Sequence, residues 1–576
     1  MVEGVGNTEK VKEGAGGFRR QSVLQLFLLI AILVVLNILS GFVFTRFDLT
    51  EDKRFTLSES TRKLVGDLKD VVFVRVYLEG DFSPGFSRLR SATYELLDEM
   101  KRYSKGNLEF VFIDPSADPD EKQRNSLYAQ LYQKGIQPTT LEERTQEGVK
   151  RTYIFPGALV SFANVEESVL LLKSQLGAPP EQMLHNSIQN LEFEFSNAIR
   201  KVTNPARPSI GFLEGHGELD TLQVADLAAA IGNSYSLKRV RIDGQLNALK
   251  DFKTLVVARP DSAFDEKDKF VIDQFVMKGG RVLWLLDPMS VTMDSLSRRG
   301  ETMALARDLR LDDMLFRYGA RINYDLVQDL MASLIPVVTG TVGNQPKQEF
   351  LPWYYFPVMT PKSDHPIVSR LNAIKGQFVS SIDLVQAPGV KGSILLTTSG
   401  YSKVLPAPVR VSLGIMQFKP DPKMFPHKEV PVAVLLEGDF TSLYKNRIPP
   451  LIAENSEIGF KESTTGGKMV VVSDGDMIRN DVQRGQAQPL GRDRFTGTTF
   501  GNKTFLLNVI DYLSEGDELM MSRNKDFKLR LLDPAVMETG QGMWTSVALF
   551  VPLIVVLITG LLKFILRKRA NSKRLT

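Results

Sequence analysis

Residues 23–44 carry no charged side chain and, apart from Gln25, Asn37, Ser40 and Gly41, are apolar. At a rise of 1.5 Å per residue such a run makes a helix of about 30 Å, the thickness of a bilayer's hydrocarbon core. Arg19 and Arg20 precede it and Lys10 and Lys12 lie further back, which assigns residues 1–22 to the cytoplasm. A cleaved signal peptide would have a shorter apolar stretch and a small-residue cleavage site, whereas this run exits into Phe44-Thr45-Arg46. A second span is predicted over 543–566, with Trp544 at the interface and Lys563 close enough to the end to snorkel. It exits into Arg567, Lys568, Arg569, Lys573 and Arg574, so the tail 567–576 is also expected in the cytoplasm. Residues 46–541 are then expected outside it, in the periplasm if the membrane is a bacterial inner membrane. Asn37 and Gln25 are polar within the first span, and Asn37 is a candidate contact for a partner helix.

The intervening region is neither strongly basic nor acidic. The chain has 71 Lys plus Arg against 67 Asp plus Glu, a net +4 over 576 residues, which argues against a phosphate-binding surface and hence against nucleic acid as a partner. With no cysteine, thiol nucleophiles, thiolate metal sites and disulfides are all excluded.

The pattern between the anchors predicts a multi-domain α/β protein. Residues 45–204 read as a first α/β domain. In it Ser58 caps a helix, a strand over 71–78 precedes a helix over 86–103, and strands over 108–113 and 152–162 lead to a helix over 191–202. Pro205 and Pro208 mark a linker. Residues 205–320 read as a second domain, with strands over 209–213, 237–242, 254–258 and 281–286, a helix over 265–277 and another over 304–318. This alternation implies a mainly parallel sheet. Residues 321–430 are rich in short strands and turns. Residues 431–541 restore the α/β cadence with strands over 430–436 and 468–473 and a helix over 503–513, and are placed to complete the second domain.

Four segments in this order resemble one family: Arg46-Phe47-Asp48-Leu49-Thr50-Glu51-Asp52-Lys53-Arg54-Phe55-Thr56-Leu57-Ser58, Val76-Tyr77-Leu78-Glu79-Gly80-Asp81-Phe82, Phe212-Leu213-Glu214-Gly215-His216-Gly217-Glu218 and Val470-Val471-Val472-Ser473-Asp474-Gly475-Asp476. With the two anchors, they resemble the GldG-type, gliding-motility-associated auxiliary component of ABC transport systems. The resemblance implies a membrane-anchored periplasmic subunit without catalysis or cofactor, working with a polytopic permease and a cytoplasmic ATPase. It names no cargo and does not require gliding. The second domain also resembles the flavodoxin-like core of glutamine-amidotransferase-type domains. Their chemistry needs an elbow cysteine, which is missing here, so the resemblance implies a fold reused for binding.

Two turns follow strands at the carboxyl edge where open α/β sheets bind ligands. In the first, His216 and Glu218 are candidate ligand-binding residues, set against a plain helix-capping turn. In the second, Asp474 and Asp476 are spaced to suit Mg²⁺ or Ca²⁺, but Met477-Ile478-Arg479 follows where a calcium loop would supply more oxygens, so no metal site is assigned. Asp114-Pro115 and Asp287-Pro288 read as strand stops, and His185, His365 and His427 as structural. No glycine-rich phosphate loop with its lysine follows a strand, so an ATPase must be a separate chain. Two rivals to the auxiliary subunit are a membrane-tethered receptor for a solute or envelope polymer and a metal-dependent hydrolase using these residues.

Overall fold

The computed structural model describes residues 24–32, 34–35, 56–80, 82–145, 148–173, 179–204, 207–232, 234–342, 345–361, 365–369, 371–418, 420–447, 459–515 and 534–572. Residues 1–56 and 57–576 form separate units. In the first, residues 24–32 and 34–35 are helical with exposed side chains, and the remainder of the 23–44 span, Asn37 included, lies outside the described residues.

The second unit begins with α1 (Glu59–Gly66), where the Ser58 hydroxyl accepts the Thr61 backbone N–H at 3.2 Å and so satisfies one orphan donor of the first turn. Then come β1 (Val72–Val76), α2 (Pro84–Tyr103), β2 (Leu108–Phe112), α3 (Glu121–Gln133), β3 (Thr139–Thr145), β4 (Gly148–Ile154), β5 (Gly157–Phe162), β6 (Val165–Leu170) and α4 (Pro180–Thr203). A four-stranded sheet runs β2-β1-β5-β6, with β1 and β2 parallel and the other pairs antiparallel. The strand expected over 152–162 is two strands: Pro156, which has no N–H to give a ladder, separates β4, paired to β3, from β5, paired to β1. Val72, Val74 and Val76 alternate inward onto Leu89, Leu97 and Met100 of α2 and Phe195 and Ile199 of α4, which closes the core of this first lobe.

The second lobe is built on β7 (Ser209–Glu214), α5 (Ala225–Gly232), β8 (Ser236–Arg241), β9 (Thr254–Ala258), α6 (Glu266–Met277), β10 (Arg281–Leu285), β11 (Val390–Thr397), β12 (Pro431–Gly438), β13 (Gly467–Val472) and α7 (Asn502–Glu515). Its seven-stranded sheet has the order β11-β12-β13-β10-β9-β7-β8. The five strands from β13 to β8 are mutually parallel, whereas β12 is antiparallel to β13 and to β11. Every residue of β9 and β13 is buried, because helices cover both faces; this is why residues 255–258 and 469–472 read as unbroken apolar runs. Phe505, Val509 and Ile510 of α7 join the core on one face, and Ile272, Phe275 and Val276 of α6 the core on the other.

Between β10 and β12 the chain makes an insertion with its own core of Trp353, Tyr355, Phe356, Phe378 and Val411, dominated by a long hairpin of Ala332–Val342 and Gln345–Met359. The single helix expected over 304–318 is replaced by a strand, Glu301–Ala306, and a short helix, Asp312–Tyr318. Ala304 faces the insertion core while its neighbours point out, and residues 301–304 pair antiparallel with 409–412, so tertiary pairing overrides local propensity. After α7, α8 (Pro534–Ser572) contains Thr545–Leu566, long and apolar enough to cross a membrane, with a mean hydropathy of 2.7 and none of it buried.

Candidate functional site

Five parallel strands aim their carboxyl ends at one edge of the sheet, and there the polar side chains of the second lobe gather. Leu285 of β10 pairs with Val472 of β13, so Asp287 and Asp474, each two residues on, emerge from adjacent strands side by side. Arg259 is the first residue past β9. Its Nε lies 2.6 Å from Asp287 Oδ2 and 3.2 Å from Asp476 Oδ1. Its backbone takes a left-handed φ of +56°, uncommon for a residue with a Cβ. Gly475 makes this approach possible: a Cβ there would lie 2.6 Å from Arg259 Cγ and 3.1 Å from Asp287 Cγ, and its N–H donates to Asp287 Oδ1 at 2.6 Å.

Asp474 is wholly buried. It accepts the backbone N–H of Asp476 at 2.9 Å and, from the insertion, that of Gln377 at 2.9 Å. The insertion also donates Ser380 N–H to Ser473 O and accepts the Ser473 hydroxyl at Ser380 O, so the segment around 377–380 roofs the exit of β13. Burial, with Asp287 and Asp476 nearby, pushes the Asp474 carboxyl well above its usual range. Burial also raises Asp287, helped by Asp476 and opposed by Arg259. Burial disfavours the Arg259 charge, but Asp476 and Asp287 more than compensate, and its guanidinium is held above its ordinary value.

His216 and Glu218 stand at the same edge, separated from Asp474 and Asp476 by β9 and β10. The His216 ring stacks on Phe264 with centroids 3.7 Å apart; Nδ1 lies 3.3 Å from Glu218 Oε1 and Nε2 3.1 Å from Asp268 Oδ2, in the first turn of α6. Its carbonyl accepts the N–H groups of Asp261 and Ser262. Gly217, at φ +76°, packs so tightly that a Cβ would collide with the Asp261 carboxylate. The Asp268 carboxyl is raised, by burial first and by Asp265 next.

The four residues singled out in the sequence thus form two groups rather than one, both nearly closed to solvent and engaged with the chain itself. Among the described residues no group of three or more His, Cys, Asp or Glu side chains is arranged to hold a metal ion. Asp287, which the sequence reading takes for a strand stop, joins the group here, and Arg259 is not singled out by the sequence at all. The available signal was the repeated phrase of strand, one residue, aspartate in Leu285-Leu286-Asp287 and Val472-Ser473-Asp474, which becomes informative only once the two strands are known to be neighbours.

Residues 207–509, more than half of the chain, match the family model described as ABC-type uncharacterized transport system, of the auxiliary-component type. The chain belongs to this family. The family region takes in the seven-stranded sheet, the insertion and both polar groups, and its membership supports an auxiliary role in an ABC transport system, in association with components of such a system. Residues 51–161 match a second model, a domain of unknown function. No curated protein matches the chain. A solved structure titled mmIFT52 N-terminal domain aligns at 15% identity over 54% of this chain and 98% of that one, with a TM-score of 0.31, a superposition too loose to bear on function.

Proposed function

We propose that this auxiliary component is a membrane-anchored subunit whose two lobes scaffold or gate cargo outside the membrane, beside a polytopic permease and a cytoplasmic ATPase. The observation that carries the reading is the placement of Thr545–Leu566, fully exposed and apolar, just past the family region and just before a basic tail. The 23–44 segment is the second anchor in this reading, with Asn37 against a partner helix, and the family's GldG-type branch is the proposed subfamily. The proposed divisions are 45–204, 205–320 completed by 431–541, and a strand-rich 321–430, from which Val390–Thr397 joins the sheet of the second. A flavodoxin- or amidotransferase-like ancestry of the second lobe is supported by its parallel order β8-β7-β9-β10-β13, which is 2-1-3-4-5 when those strands are numbered along the chain. A non-catalytic role is supported by the lack of cysteine and by the engagement of His216, Glu218, Asp474 and Asp476 with neighbouring protein groups.

Purification from native membranes in mild detergent, with identification of every associated chain, tests the proposal. A permease and an ATPase at fixed ratio are expected. A chain that purifies alone but carries a bound solute, lost on His216→Ala, would instead favour the receptor.

A further inference from the structure

The first lobe and the family region meet across α4 and α7. Part of this contact is apolar: Phe193 of α4 is buried in the same cluster as Ile510 and Leu513 of α7 and Tyr235, which precedes β8. Apolar contact is non-directional and leaves the angle between two lobes weakly specified. In its midst sits Asp511, 6% exposed, whose carboxylate accepts the Tyr235 hydroxyl at 2.7 Å and Asn197 Nδ2 of α4 at 3.3 Å. Arg200 donates to Asn197 Oδ1 at 2.6 Å and so turns the amide's N–H groups toward Asp511. Lys201, one turn along α4, places its ammonium 3.5 Å from Glu167 of β6 and 3.8 Å from Asp511.

Those last distances matter. A strong ammonium–carboxylate hydrogen bond closes to about 2.7–2.9 Å. Lys201 makes neither contact at that length, and is shared almost evenly between a carboxylate of its own lobe and one of the other. Its surroundings are unequal: burial outweighs the lysine's pull at Glu167, whose carboxyl is raised, whereas Asp511 and Glu167 together outweigh burial at Lys201 and hold its charge. Burial and the neighbouring Asp511 also keep the Tyr235 hydroxyl protonated. A buried ionic group of this kind recovers little more than its desolvation cost, yet it is satisfied in only one relative placement of the elements that supply it.

We propose that the Lys201–Asp511–Tyr235–Asn197 joint is a register pin, which sets the angle of the first lobe on the family region and adds little net stability. It acts one turn before α7 ends.

The chain has no cysteine, so spin labels go only where they are placed, and exposed Lys122 and Asp251 report on the two lobes. In the full-length protein in nanodiscs, the triple replacement Lys201→Met, Asp511→Leu, Tyr235→Phe, made in a Glu167→Gln chain so that no carboxylate is left without the ammonium, is expected to keep or raise the urea midpoint while broadening the label-to-label distance distribution. Lys201→Met alone, with Glu167 intact, takes the ammonium from Glu167 and leaves Asp511 to the neutral donors Tyr235 and Asn197, and is expected to lower the midpoint. An unbroadened distribution in the triple variant means that apolar packing sets the angle, and a midpoint lowered as far as in the single variant means that the joint is a source of stability; either result overturns the proposal. If the triple variant does not fold, Lys201→Gln, uncharged but still polar, takes its place: a broader distribution supports the pin, and an unchanged one refutes it.

Discussion

Gly475→Ala concentrates the energetics of the carboxyl edge in a single methyl group. Gly475 opens a tight turn after β13 and does not take a left-handed φ, so alanine meets no backbone penalty there. By restricting the unfolded chain, the replacement would alone stabilise by about 0.4–1 kcal/mol. The added Cβ, however, would lie 2.6 and 2.8 Å from Arg259 Cγ and Cβ and 3.1 Å from Asp287 Cγ. The arginine stem has little freedom to yield, because its backbone is already left-handed and its guanidinium is held by Asp287 and Asp476. Forcing a methyl into such packing costs about 1–3 kcal/mol. Displacing the guanidinium adds part of the roughly 3–5 kcal/mol that breaking a buried pair costs. The unfavourable terms win, and a net loss of about 2–4 kcal/mol is expected. Urea unfolding of the full chain in detergent, followed through the fluorescence of Trp284 on adjacent β10, measures it. Adding Arg259→Ala removes the Cγ contact, the tightest of the three, so the double variant should be less damaged than the sum of the two by about 0.5–3 kcal/mol. A loss under about 0.5 kcal/mol, the scale of a surface change, would refute this account of the edge.

The same edge predicts a pH dependence. The Asp474 and Asp287 carboxyls are raised in the folded state, so their contribution is complete below the ordinary aspartate value and is lost as pH rises through the folded value. The urea midpoint of the unaltered chain should therefore fall with rising pH relative to that of Asp474→Asn; parallel profiles would contradict it. For topology, a cysteine at Thr152 should react with an impermeant thiol reagent in intact cells and one at Ser22 should not, and the reverse pattern would invert the assignment. Truncation before Trp544 should release the transporter partners in detergent while the two lobes stay folded, since each has its own core, and full retention of partners would move the contact elsewhere. The purified, partner-free chain should not hydrolyse ATP, as a phosphate assay with a contaminant control would show.

Much of the local structure is legible in the residues alone. Strands expected over 209–213, 254–258 and 281–286 appear as Ser209–Glu214, Thr254–Ala258 and Arg281–Leu285, because β-branched runs bounded by Gly, Pro and Asp state both their type and their ends. The helix expected over 265–277 appears as Glu266–Met277, with Asp265 accepting the Asp268 N–H as its cap. The helix expected over 304–318 fails at its first half, where Glu301–Ala306 has a partner strand more than a hundred residues away in sequence. Nor does the strand-rich stretch announce that its Val390–Thr397 segment joins the main sheet beside Pro431–Gly438.

The composition and the two long apolar segments near the ends determined by themselves that this chain has no thiol chemistry, that it reads as α/β between those segments, and that residues 543–566 are apolar enough for a bilayer. These follow from residue type and short-range period, which act over one or two turns of chain. Tertiary structure decided which strands are neighbours, and with that which charges meet: Gly475 with Asp287 across 188 residues, and Asp511 with Asn197 across 314. The physical reason is that period and propensity record only which face of an element is buried. Strand order, and the balance of burial against charge where strands converge, depend on contacts between segments far apart in sequence, which no local window contains.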